Sequence, residues 1–179
     1  GELAYELHIP NAQLYLVWQL LQSAGQTFHL SKFGLYATES MRLEKGYLHW
    51  KAEIIDEFNP IEAGLDRFVK LDKPDFIGKQ ALLADLESGP RQRLVTLEVS
   101  CDFAAAHGGD PVIHHGQQVG VVTSGGYGHR VAKNLAYAYV DAAVAIIGGH
   151  FKVSIIGQVC DAMVVEPCLY DPANLKPRS

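Results

Sequence analysis

The segment Arg42-Leu43-Glu44-Lys45-Gly46-Tyr47-Leu48-His49-Trp50 gathers cations, a carboxylate and two aromatic rings around what reads as a helix terminus. Such a set can hold an anionic or ring-shaped ligand by ion pairing and stacking. The plainer alternative is that Arg42 pairs with Glu39 or Glu44 on a solvated helix face, an arrangement worth about 0.3–0.5 kcal/mol, and that the rings belong to a core. Other candidates are weaker. His107, His114 and His115 match no metal-ligand spacing, and no thiol or carboxylate is arranged to complete a site. Gly125-Gly126-Tyr127-Gly128 follows a strand-like run but lacks the third glycine of a dinucleotide fingerprint, since Val131 stands there. It is expected to be a hairpin loop using positive φ. Thr123-Ser124-Gly125 does not form a nucleophile elbow, because Val122 and Gly126 do not give G-x-S-x-G.

The elements that must position these residues change character along the chain. Leu3, Tyr5, Leu7 and Ile9 alternate with Glu2, Ala4, Glu6 and His8, which predicts a strand from the first residues. Leu14, Val17, Trp18 and Leu21 recur at helical spacing after Pro10-Asn11, with Gly25 as the stop. A second helix is predicted from Lys32 to Lys45, with Gly46 just past its end. A loop or short strand is expected over Gly46–Asp56, a turn at Asn59–Gly64, a short strand over Leu65–Leu71 and a helix over Phe76–Leu86. From Arg91 onward strand follows strand: Arg93–Val99, Asp110–His114, Gln118–Ser124, Ala136–Val140, Gly149–Ile156 and Gln158–Val165. That spacing suits a small sandwich or barrel. A boundary is therefore expected at Gly89-Pro90, dividing a mixed α and β portion (1–89) from a mostly β portion (90–179), with a polar surface tail from Tyr170.

The chain has 179 residues, 48% apolar and 20% charged, an ordinary globular balance. A net charge of −5 gives no overall steering toward nucleic acid or an anionic membrane, and no apolar run is long enough for a membrane span. Cys101, Cys160 and Cys168 make neither a disulfide framework nor a zinc motif and suit a reducing compartment. The abrupt opening on an apparent strand is expected of a piece of something longer.

Taken together, the motifs resemble the folate-binding superfamily of the glycine-cleavage T-protein (aminomethyltransferase), and within it the sarcosine and dimethylglycine dehydrogenase branch. Gly1-Glu2-Leu3-Ala4-Tyr5-Glu6-Leu7 resembles the G-E-[LD]-G-[WYF]-E-[LI] strand, and Arg42–Trp50 the R-x-E-K-G-[YF]-x-x-W segment of the dehydrogenase branch. Pro60–Leu65 is similar to P-[LV]-E-A-G-L, and Asp75–Leu82, with Leu71-Asp72-Lys73 before it, to the K-x-D-F-[IL]-G-[KR]-x-A-L helix start. Thr123–Gly128 with Leu135–Val140 resembles the barrel hairpin, and Tyr170-Asp171-Pro172 the branch's terminus.

This resemblance implies an α+β chain: the C-terminal half of a folate-binding α/β domain followed by a small antiparallel β-barrel. It implies tetrahydrofolate as ligand, with Glu6 accepting the pterin's adjacent N–H groups, as a carboxylate does from a guanidinium, and with Leu3, Ala4 and Tyr5 beside it. The alternative is a solvent-exposed strand glutamate. Tyr47 or Trp50 would pack against the rings, and Arg42 or Arg130 would attract the glutamate tail. Two departures stand out: Ala4 replaces the family's glycine, and Thr38 stands where the T-protein itself has a folate-contacting arginine. The family's catalytic aspartate has no counterpart here, so no catalytic residue and no metal ligand is assigned and the chain alone is expected not to turn over. FAD and the N-methyl amine substrate would belong with the missing N-terminal part of the parent, a cytoplasmic protein or a mitochondrial one if eukaryotic. The intact protein would then make 5,10-methylenetetrahydrofolate. Alternatives are a piece of a stand-alone aminomethyltransferase or folate-dependent demethylase, and a non-catalytic folate-binding or interdomain module. Apolar surface left bare by the missing half would favour a homodimer.

Overall fold

The computed structural model describes residues 4–178. Three helices, α1 (Asn11–Gly25), α2 (Leu35–Lys45) and α3 (Lys79–Ser88), precede six strands: β1 (Gln92–Ser100), β2 (Pro111–His114), β3 (Gln117–Gly128), β4 (Lys133–Asp141), β5 (His150–Ile155) and β6 (Gln158–Val165). The strands close into an antiparallel barrel in the order β1-β4-β3-β2-β5-β6. Alternation drives its packing. Val95, Leu97 and Val99 of β1, Ala136, Ala138 and Val140 of β4, and Val153 and Ile155 of β5 all point inward and fill one core. Two connections are two-residue turns, His115-Gly116 and Ile156-Gly157, with positive φ at both positions (48° and 80°, 47° and 77°). That backbone matches the strand twist across a tight hairpin.

Strand β4 is buried on both faces from Leu135 to Val140. Its small residues face the barrel core, while Leu135, Tyr137 and Tyr139 point outward beneath α2 and the 49–63 segment. The Tyr137 hydroxyl donates to Leu43 O at 2.9 Å and the Tyr139 hydroxyl to Glu53 O at 2.9 Å. Phe58 stacks on Tyr139 with ring centroids 3.5 Å apart. Burial pushes both phenols well above their ordinary range, with the nearby Glu53 carboxylate adding to the effect, so both remain protonated donors. Asn59 anchors the turn before the barrel: its Oδ1 accepts from Ile61 N (2.8 Å) and Glu62 N (3.0 Å), and Glu62 Oε2 accepts in return from Asn59 N (3.1 Å).

Several expectations need correction. Ala4–Pro10 forms no strand, because no segment among the described residues pairs with it to supply a ladder; Gly1–Leu3 lie outside the described residues. Leu65–Leu71 is not a strand either. Asp66–Phe68 is a 3-10 turn whose bonds are local, such as Phe68 N to Leu65 O at 2.9 Å. Helix α2 starts at Leu35 rather than Lys32, and α3 starts at Lys79, preceded by left-handed Gly78 (φ 89°). The Gly125–Gly128 run is not a loop but the end of β3, and none of its glycines has positive φ. Glycine is required there by close approach instead: a Cβ on Gly125 would lie 2.1 Å from the Ala106 carbonyl oxygen. No helix among the described residues is long and apolar enough to cross a membrane.

The same crowding occurs at Gly120, where a Cβ would meet Tyr139 O at 2.1 Å and Val140 Cα at 2.8 Å, both backbone atoms. Gly120→Ala is therefore expected to lower unfolding stability by about 1–3 kcal/mol, measured as a drop in urea midpoint; an unchanged midpoint would show that β3 and β4 are not this close.

Candidate functional site

The sequence points to two places, the Arg42 segment on α2 and the Ala4–Glu6 segment at the start of the chain. Helix α2 ends at Gly46, which is left-handed (φ 77°) and lets Tyr47 N reach back to Arg42 O at 2.9 Å. The Gly46 backbone also lies against the tail, since a Cβ would fall 2.6 Å from Pro167 O. Arg42, Glu44 and Lys45 thus face the barrel, not the solvent, and Ser40 of the same helix donates to Tyr127 O at 2.7 Å.

Arg42 is only 10% exposed and every guanidinium N–H has a protein acceptor. Nε and Nη2 bind Glu39 Oε2 (2.6 Å each), Nη1 donates to Tyr47 O (3.2 Å) and Glu53 Oε2 (3.1 Å), and Nη2 also donates to Ser124 Oγ (2.9 Å). Glu53 is fully buried. A tight turn places it, with Ala52, Glu53 and Ile54 amides all directed at His49 O (3.1–3.3 Å), while Glu53 Oε2 accepts from His49 N at 2.7 Å. Its other oxygen accepts from Thr123 Oγ1 (2.8 Å) and Ser124 Oγ. Consecutive strand residues normally point to opposite faces; a register shift between Val122 and Ser124 lets both hydroxyls reach one oxygen.

Two further buried charges continue this seam. Glu44 Oε2 accepts from Arg130 N (3.0 Å) and Val131 N (3.3 Å), and Glu44 O accepts from Leu169 N and Tyr170 N. Lys45 Nζ donates to Asp171 O (2.7 Å) and Oδ2 (3.1 Å). Although desolvation raises it, the Asp171 carboxyl is held below its ordinary value by the Leu175 amide and the Lys45 ammonium. Saturated in this way, the cluster has no free group to act as nucleophile or proton carrier; it fixes α2, the β3 bulge and the tail against one another. The helix-surface reading of Arg42 holds for Glu39 but not for Glu44.

Ala4, Tyr5 and Glu6 lie elsewhere and share no hydrogen bond with Arg42. Tyr5 is 84% exposed, and the Glu6 side chain, 86% exposed, has His8 Nε2 at 3.6 Å as its one charged neighbour among the described residues. Leu3 lies outside the described residues. Next to this segment is an open apolar groove of about 470 Å³ lined by Ile9, Leu14, Tyr15, Val17, Trp18 and Leu21. Helix α1 buries none of its residues. Neither Tyr5 nor Glu6 lines this groove. Tyr47 is half-exposed and Trp50 exposed, while Arg130 lies over the Tyr170 ring at 4.8 Å. The His114 and His115 rings lie tilted at 57° with centroids 4.1 Å apart, and no three metal-ligating side chains converge among the described residues. Glu53 is not singled out by the sequence, and Thr123, Ser124, Lys45 and Asp171 appear there in motifs but not as partners in this seam: Glu53 is eleven residues from Arg42 and Ser124 far beyond it, so no local spacing marks the pairings.

A helical segment fastened by buried charge to a closed six-stranded antiparallel barrel defines the class of protein. The chain matches the family description "GCVT N-terminal domain" over residues 1–73 and "Glycine cleavage T-protein C-terminal barrel domain" over residues 92–171. It belongs to the glycine cleavage T-protein family. It is 38% identical to mouse mitochondrial dimethylglycine dehydrogenase over 98% of its own length but only 21% of that protein's. It is 34% identical to an aminomethyltransferase of Caldanaerobacter subterraneus, covering 95% of this chain and 45% of that one. The crystal structure of the glycine cleavage system aminomethyltransferase T from Bartonella henselae superposes with a TM-score of 0.77 at 26% identity, over 92% of this chain and 45% of that one. The chain thus spans under half the length of these relatives.

Glu53→Gln would leave Arg42 short of a counter-charge inside the seam and is expected to destabilise the protein by about 3–5 kcal/mol, whereas replacing Arg42 and Glu53 together by Met and Leu should cost less than the sum of the single changes. Denaturant titration of the three variants tests this, and strict additivity would contradict it. Because the Asp171 carboxyl is depressed in the fold, its contribution is complete above about pH 5 and fades as pH falls below about 4. Hydrogen exchange at the Leu175 amide should accelerate over that range, and Asp171→Asn should remove the pH dependence.

Proposed function

We propose that this chain is the C-terminal part of a tetrahydrofolate-binding one-carbon-transfer protein, the folate domain of an FAD-dependent sarcosine or dimethylglycine dehydrogenase that forms 5,10-methylenetetrahydrofolate. The observation that carries the reading is the bareness of α1. Leu14, Trp18 and Leu21 on one side, and Leu16 and Leu20 on the other, are all exposed, and a helix of 15 residues this apolar is stable only when it packs on something. The occupant we favour is the N-terminal part of the same polypeptide, supported by the coverage of 21% of the mouse dehydrogenase; a second copy of the chain is the other occupant. We place the domain boundary at 89/90 and the parent in the cytoplasm, or in the mitochondrial matrix of a eukaryote.

In this reading Leu3, Ala4, Tyr5 and Glu6 form one wall of a pocket whose other wall is the missing part. Glu6 orients the pterin through its paired N–H groups, Tyr5 packs on the ring, and Arg42 supports the wall by fixing α2. Bound tetrahydrofolate would supply the nucleophilic nitrogens that receive the one-carbon unit, released from an N-methyl amine after its oxidation at the flavin. A stand-alone aminomethyltransferase is the second reading, favoured by the coverage of 45% of the Caldanaerobacter enzyme. A dinucleotide-binding glycine motif upstream of Gly1 separates the two.

Glu6→Gln in the intact protein is expected to weaken tetrahydrofolate binding by at least about 1.5 kcal/mol, roughly tenfold, in a calorimetric titration. Since Glu6 is exposed here, folding should be unaffected, and an unchanged affinity would remove it from the pocket.

A further inference from the structure

Cys101 and Cys160 are remote in sequence and belong to neither the α2 seam nor the N-terminal wall. They meet where β1 and β6 close the barrel. Register pairs Val99 with Ala162 and Ser100 with Asp161, so the next position along the seam sets Cys101 opposite Cys160. The Cys101 amide turns away to Val99 O at 3.1 Å, as at the frayed end of a ladder. Antiparallel neighbours that do not exchange backbone bonds approach to about 4.5 Å between Cα atoms, within the span a disulfide bridges. Both side chains face the core: Cys160 is a member of it and Cys101 packs against it.

Exposure divides their roles. Cys101 is partly accessible, at the start of a loop whose next residues, Asp102 and Phe103, are exposed, while Cys160 is buried at 7%. We propose that Cys101 and Cys160 form a dithiol modification site that a low-molecular-weight disulfide of the glutathione type oxidises to an intramolecular disulfide. The Cys101 thiolate attacks one sulfur of the small disulfide, forming a mixed disulfide and releasing one small thiolate. Cys160, deprotonated, then attacks the Cys101 sulfur and expels the second. Two protein thiols lose two electrons, the reagent becomes two thiols, and the two protons leave with them.

The surroundings suit this order. Although burial raises it, the Cys101 thiol is held below its ordinary value by the hydrogen bonds of the Cys160 thiol and the Ala104 and Phe103 backbone, which favours its thiolate. Burial first, then the hydrogen bond and charge of Cys101, push Cys160 up to about 11. Two of those three influences depend on Cys101 as a thiolate and disappear once it is capped, which makes Cys160 easier to deprotonate when it must attack. The bond would staple the closing seam across a loop holding β2 to β5.

The test is to equilibrate the full chain with reduced and oxidised glutathione, alkylate the remaining thiols and map the peptides by mass spectrometry. The expected result is one Cys101–Cys160 disulfide, with Cys168 still alkylated, and a thermal midpoint raised on the order of 10 °C. Cys160→Ser should accumulate a glutathione mixed disulfide at Cys101, a readout independent of the stability gain, and Cys101→Ser should leave Cys160 unmodified. Three alkylatable thiols after oxidised glutathione, or glutathione uptake by Cys168 ahead of Cys101, would overturn the assignment.

Discussion

The Arg42–Glu53 pair sits where water cannot solvate it, and the local structure follows from the need to match those charges. Glu53 is fully buried, so each lone pair needs a donor. The four donors come from three separate places: the α2 guanidinium, the His49 amide, and the two hydroxyls that the β3 bulge brings together. Shifting any of them by an ångström would strand a charge in a nonpolar seam. The helix end, the 49–54 turn and the β3 register are therefore set jointly, a constraint that hydrophobic packing alone would not impose, since apolar contacts tolerate sliding.

The two halves of the chain differ in how far their surfaces are satisfied. The barrel is a closed sheet with no free edge and a continuous apolar interior. Strand β4 extends that order outward by burying Tyr137 and Tyr139 beneath α2. At the other end, α1 carries as many large apolar residues as a core helix and buries none. The barrel is built to stand, whereas the N-terminal portion is built to be covered. The proposal that Ala4–Glu6 and the α1 groove contribute to a binding wall rests on that contrast.

Charged residues in the R-x-E-K-G segment serve this architecture. Arg42 holds Glu53, Glu44 holds the Arg130–Val131 turn, and Lys45 holds the tail through Asp171. Gly46 completes the set by letting the tail backbone cross where any side chain would collide. A motif that looks like ligand chemistry because it concentrates charge beside aromatic rings is here the clamp between two parts of the fold. In this member of the glycine cleavage T-protein family, the clamp keeps α2 at a fixed distance from the barrel.

Sequence by itself determined the barrel strands, β6 from Gln158 to Val165 most closely, because period-two alternation and turn residues act within a few positions of each other. It also determined α1 and the Gly46 stop, for which helical spacing and a left-handed glycine suffice. Tertiary structure alone decided three other matters. Ala4–Pro10 has the alternation of a strand but no neighbour to bond, and Leu65–Leu71 likewise satisfied its amides locally. Gly125–Gly128 carries glycines for close approach, Gly125 to Ala106 and Gly128 to Val131 and Glu44, not for a turn, and composition cannot distinguish those two needs. The match of Arg42 to Glu53 and Ser124 depends on how the chain folds back on itself, because electrostatic partners are chosen by distance in space and leave no periodic trace along the chain.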